Sequence, residues 1–236
     1  MRSSLKFLRG DGQSKRMLNN KINYVRFLFL IFFFLLIISL DCEKRFQGTD
    51  YYPLKMGNNY EYSGSMGKSA VTNEIGDEKE KVYVISFYDQ TGNVAWTEEF
   101  VAKEGKVFLR SFNPAKPVMP TFSFFPPLPF TPVSNKVGDK EVFQISEYHA
   151  DSSVVNLRVK VDYAIEGIED LSVPAGNFKK CIKMRITYTY LDTTSFKFME
   201  GDNWWWYAKR VGMVKYQVMG GSGELLSAKI GDKSYP

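Results

Sequence analysis

SVVNLRVKVDYAIE, residues 153–166, carries apolar side chains at successive odd positions: Val155, Leu157, Val159, Val161, Tyr163 and Ile165. Asn156, Arg158, Lys160, Asp162 and Glu166 occupy the even positions as polar residues, with Ala164 neutral. A period of two puts one face of a strand against a core and the other in water, the pattern of an antiparallel sheet. Upstream, Lys81–Asp89, Asn93–Ala102 and Lys106–Phe112 are separated by QTG and KEG and read as a meander with glycine-containing turns. Further strands are expected at Glu141–Tyr148, Phe178–Leu191, Ser195–Glu200, Trp204–Lys209, Gly212–Met219 and Glu224–Ile230. No segment after residue 42 keeps a helical period, so the domain is all-β.

Asn113–Val133, NPAKPVMPTFSFFPPLPFTPV, interrupts that rhythm with seven of the ten prolines and with Phe122, Phe124, Phe125 and Phe130. Proline donates nothing to a ladder, which predicts a long extended connection and not a central strand. Four phenylalanines are too apolar for a free linker. They either plug an open edge or mouth of the sheet as a strap, or form a lid over an apolar cavity or a partner surface.

The N-terminus sets location. Phe27–Ile38 is an apolar run of 12 residues, extended by Ser39 and Leu40 to 14. As a helix these would cover about 21 Å, short of the roughly 30 Å hydrocarbon core. With Lys21 and Arg26 before it, the run reads as the core of a secretion signal. A start at Met17 gives a leader of ordinary proportions. ISLDC, ending at Cys42, resembles the lipobox of bacterial lipoproteins, although Asp41 stands where a small uncharged residue is usual. That resemblance implies a diacylated Cys42, an anchor held stably by two chains. Residues 1–41 are then the signal peptide, 42–50 a short anchor linker, and 51–236 the domain that contains the 113–133 connection. The expected location is the cell envelope: outer membrane or surface as a lipoprotein, otherwise periplasmic or secreted.

The leader also carries the excess charge. Of 31 basic and 26 acidic residues, seven and two precede Cys42, which leaves 24 of each in the mature part. A surface without net positive charge does not suit a phosphate backbone, so nucleic acid is not an expected partner. The 195 mature residues are enough for one domain with a real core and include 30 aromatic residues, a rich share. The chain has two cysteines; with Cys42 acylated, Cys181 has no disulfide partner.

Three motifs carry a further resemblance: YYPLKMGNNYEY (Tyr51–Tyr62), VPAGNFKKCIKM (Val173–Met184) and WWWYAKRVGMVKY (Trp204–Tyr216). Together the chain resembles a loose group of exported bacterial β-rich proteins of unknown function, lipoproteins among them. The resemblance implies a curved antiparallel sheet, an open or half barrel like those of periplasmic lipoprotein carriers, and no catalytic residues.

The chemical inventory is thin. One histidine, His149, and two cysteines exclude the common zinc sites. GGSGE (Gly220–Glu224) reads as a hairpin turn and not a phosphate loop. Glu98–Glu99 and Glu169–Asp170 are adjacent on strands and point to opposite faces. Cys181 shares its expected face with Lys179, Lys183 and Arg185, cations that would lower a thiol's pKa, yet it lacks a placed base and reads as structural. No catalytic residue, metal ligand or cofactor is assigned.

In a strand, Trp204 and Trp206 face one way and Trp205 and Tyr207 the other, so one pair belongs to the core and the other lines a groove, lies under the strap or meets a ligand. The expected ligand groove therefore joins Phe122, Phe124, Phe125 and Phe130 to Trp204, Trp205, Trp206 and Tyr207. The expected activity is non-enzymatic binding of an apolar or lipid ligand. The alternative is a structural or adhesive surface module for protein or glycan.

Overall fold

The computed structural model describes residues 46–76, 80–116, 120–150, 155–193 and 197–236. The leader, Met17 and Cys42 lie outside the described residues. Phe46–Pro236 is a compact unit with its own core, the requirement for folding independently.

Its strands are β1 (Asn59–Tyr62), β2 (Lys68–Gly76), β3 (Lys81–Tyr88), β4 (Val94–Lys103), β5 (Lys106–Pro114), β6 (Thr121–Pro129) and β7 (Lys140–Ala150). They continue as β8 (Val155–Val173), β9 (Gly176–Tyr190), β10 (Gly201–Ala208), β11 (Gly212–Val218), β12 (Gly221–Ile230) and β13 (Lys233–Tyr235). Each pairs antiparallel with the next, and β1 pairs with β12 through Asn59↔Lys229 and Tyr60↔Ala228. The ladder therefore closes as a 12-stranded barrel with β13 appended to β12, which corrects the open or half barrel expected from the sequence. Closure removes the free edge that a half barrel would have to protect.

Residues 155–166 behave as their alternation dictates: Leu157, Val159, Val161, Tyr163 and Ile165 are each at most 3% exposed. β8 runs seven residues further than that stretch, to Val173. The hairpin it makes with β9 curls over one end of the barrel, where the Ala175 N–H donates to the Leu225 carbonyl at 3.0 Å. A ring of 12 strands encloses more space than aliphatic residues fill easily. Phe87, Phe100, Phe122, Tyr163, Tyr207 and Tyr216 occupy it, each at most 1% exposed, which accounts for the aromatic surplus.

The proline-rich segment is not a strap. Thr121–Pro129 is β6, paired with β5 on one side and β7 on the other. The prolines are accommodated because the pairing to β5 jumps from Leu109↔Leu128 to Ser111↔Ser123. Pro126 and Pro127 fall in that bulge, past the last β7 partner, Phe125↔Ser146, where no ladder donor is required. Two further expectations are corrected. Residues 197–200 are not a strand, and Cys181 does not lie on a wet cationic face. Lys180 adopts φ 54° in a bulge, and this turns Cys181 into the core at 0% exposure.

The three sequence motifs gather largely at one end of the barrel. Tyr51 and Tyr52 are buried there, and the Tyr52 ring lies 5.4 Å from Phe100 and 5.2 Å from Phe130. Asn58, 1% exposed, fastens the turn: its side-chain amide donates to the Pro53 carbonyl at 2.6 Å, and its Oδ1 accepts from the Gly231 N–H at 2.9 Å. Gly212, at φ 114°, sits beside Tyr52, Pro53 and Tyr60, so the third motif packs on the first. With Ala175 bonded to Leu225, the second motif joins them. These contacts close that end.

Candidate functional site

At the opposite end a cavity of about 220 Å³ opens into the lumen. Glu98 of β4, Leu109 of β5, Phe130, Ile186 and Tyr188 of β9, Trp205 of β10 and Tyr216 of β11 line it as buried residues. Its mouth is formed by partly or fully exposed residues: Ser65 and Met66 between β1 and β2, Trp96, Phe112, Phe198, Met199 and Val218. β12 approaches closely beside it because Gly223 has no side chain. A Cβ there would stand 2.5 Å from the Tyr216 ring and 2.2 Å from the Ser63 carbonyl.

The rings form two groups along the wall. Trp96 stacks on Phe87 at 4.6 Å and leans on Phe112 at 6.1 Å, and Phe112 meets Phe198 at 5.6 Å. Trp205 lies 5.8 Å from Phe130 and 6.2 Å from Tyr216.

Within this apolar wall, two polar groups are incompletely matched. Glu98 is 8% exposed, and burial pushes its carboxyl up to about 7. The hydrogen bond it has among the described residues comes from Trp96 Nε1 at 3.3 Å, a long one. No lysine, arginine or histidine pairs with it there. Trp205 Nε1 is buried with no hydrogen-bond partner, an exception to the usual satisfaction of buried donors.

Beside the cavity the interior holds a second polar cluster. Glu147 and His149 of β7 are 1% and 4% exposed, with Nε2 of His149 at 2.6 Å from Oε1 of Glu147. The Tyr190 hydroxyl donates to Glu147 Oε2 at 2.5 Å and accepts from the Phe198 N–H at 2.9 Å. This network holds the backbone of the mouth residue Phe198. Burial, followed by the charges of Glu147 and Glu98, raises the Tyr188 phenol.

The residues expected to form a groove are divided by the barrel wall. Phe130 and Trp205 line the cavity. Phe122 and Phe124 are inside the barrel, packed on Phe198 at 5.4 and 5.2 Å, without lining it. Tyr207 is fully buried, its hydroxyl donating to the Phe130 carbonyl at 2.6 Å. Phe125 points outward and is 70% exposed. Trp204 and Trp206 are on the outer face, under charged neighbours and not in a groove. Trp204 Nε1 donates to Glu166 at 2.9 Å and Trp206 Nε1 to Glu169. Lys183 and Lys215 lie 5.4 and 5.7 Å from the Trp206 ring centre, long side chains covering apolar surface.

The place of Glu98 is legible in the sequence once it is read against its own strand face and not against Glu99. In NVAWTEEFVA the inward positions are Trp96, Glu98 and Phe100, so a carboxylate stands on an apolar face. The partner of His149 stands two residues earlier on the same strand face, Glu147, a pairing that the period of two in β7 makes legible. Among the described residues no cluster of three or more His, Cys, Asp or Glu side chains could hold a metal ion. No described helix is long and apolar enough to cross a membrane.

Residues 130–230, from the end of β6 through β12, match a family described as DUF3108-like. No curated protein matches the chain. Solved structures of a proposed lipoprotein from Parabacteroides distasonis and of a proposed exported protein with a YmcC-like fold from Bacteroides fragilis align with TM-scores of 0.48. Their identities to the chain are 12% and 16%, and each alignment covers 76% of this chain and 98% of the other.

Proposed function

We propose that the chain is a non-enzymatic binding protein of the cell envelope, exported by its leader, anchored through Cys42, and carrying a small apolar ligand inside its barrel. The observation that supports this reading is the 220 Å³ aromatic cavity. Protein interiors hold few voids larger than a water molecule, and this one is lined mostly by rings. A cavity of about 150 Å³ holds benzene, so this one suits a molecule of about ten heavy atoms, or the tip of one acyl chain. It is too small to enclose a diacyl lipid. Mass spectrometry of the protein after gentle extraction, with a small molecule co-purifying, tests the reading directly. As a second measurement, 2-naphthol added to the barrel domain (residues 43–236) should quench tryptophan emission. Leu109→Trp, which fills the cavity, should abolish the effect. No quenching in the unsubstituted domain would favour the structural or adhesive surface module instead.

A further inference from the structure

We propose that the cavity selects a small organic ammonium ion with an apolar body, received by the Glu98 carboxylate and the surrounding aromatic faces; this rests on the binding function proposed above. The charge pattern carries the inference. A buried carboxylate normally retains a cation or several donors, because losing water without compensation is costly. Glu98 has neither: one long bond from Trp96 is its protein partner among the described residues. The missing complement is a positive charge with hydrogen-bond donors.

The wall supplies the second half of such a site. Trp96, Phe130, Trp205 and Tyr216 present ring systems to the same space, and ring faces attract cations, tryptophan most strongly. Glu98 and the rings together would hold an ammonium while its carbon skeleton fills the apolar remainder. A pure hydrocarbon would leave the Glu98 carboxyl with only its long bond from Trp96.

Protonation couples to this choice, since a carboxylate near pH 7 charges more readily beside a cation. The groups that share its field are Tyr52 of the lead-in segment, Tyr188 of β9 and Tyr207 of β10, all raised by burial first, and the Glu147–His149 pair of β7, whose carboxylate acts on Tyr188. The phenols stay neutral over the working range, which leaves Glu98 as the acid tuned near neutrality.

Phenethylamine and 2-phenylethanol are isosteric, nine heavy atoms each, and differ by the ammonium. Calorimetric titration of the barrel domain at pH 8 should give the amine at least tenfold tighter binding than the alcohol. Glu98→Gln should bring the two within twofold while keeping the alcohol affinity, which also shows that the variant is folded. Lowering the pH to 5.5 should shrink the preference in the unsubstituted domain. Equal binding of alcohol and amine, or a preference that survives Glu98→Gln, overturns the ammonium inference and leaves the binding function standing. If neither compound binds, both fail.

Discussion

The Tyr207 hydroxyl on β10 donates to the carbonyl of Phe130 at 2.6 Å inside the barrel, one residue beyond the Pro129 carbonyl that accepts from Tyr163 of β8. Two phenols from different strands thus satisfy consecutive carbonyls where β6 ends. Tyr207→Phe removes a donor from a buried carbonyl and should cost about 1–3 kcal/mol. Urea unfolding of the barrel domain measures it as a lower midpoint at unchanged slope; an unchanged midpoint would show that water replaces the phenol.

β6 as a wall strand makes opposite predictions for neighbouring phenylalanines. Phe122 is 0% exposed and Phe125 70%. Phe122→Ala should cost roughly 3–5 kcal/mol, and Phe125→Ala should stay within about 0.5 kcal/mol. Similar, small losses at both positions would restore the idea of a lid.

Glu98 makes stability fall as pH rises. Its folded pKa, about 7, lies above the ordinary 4.5, so between those values the folded state binds more protons than the unfolded one. Stability is then highest below about pH 4.5 and is lost progressively up to about pH 7, by an amount on the order of 3 kcal/mol. Glu98→Gln should therefore melt higher than the unsubstituted domain at pH 8 and level with it at pH 4.5. A variant that melts lower at pH 8 would mean that the ionised carboxylate has a stabilising partner.

Burial, aided by the nearby Asp170 charge, raises the Cys181 thiol to about 11, opposite to what three neighbouring cations suggested. The folded domain should react negligibly with a thiol reagent at pH 8, and fully once unfolded in guanidinium. Rapid labelling of folded protein would place the sulfur at the surface.

For Cys42 the leader supplies the argument. Metabolic labelling with an alkyne fatty acid should mark the unsubstituted protein and spare Cys42→Ala. Equal labelling of the two, or none, removes the anchor from the proposed function.

Strand identity was readable wherever one face is wet and the other buried, as at Val155–Ile165, because side-chain alternation is a local signal. Closure was not, because the decisive pairing joins Asn59–Tyr62 to Leu225–Lys229, and neither segment encodes its distance from the other. β6 was misread because proline forbids a ladder donor only where one is needed, and the bulge at Pro126–Pro127 removes the need. Cys181 moved to the core because one positive φ at Lys180 shifts the alternation by a residue, an irregularity that periodicity cannot anticipate. At the site, Phe130 and Trp205 were found through their aromatic character. Glu98 was dismissed as one half of a non-pair, when its place between Trp96 and Phe100 was the informative fact.

The burial of Tyr51 and Tyr52 at the end away from the mouth makes the barrel a cup and not a pipe. On the proposed binding function, a guest that enters past Met66 and Phe198 would leave by the same mouth, so its exchange would be a single reversible step set at one rim.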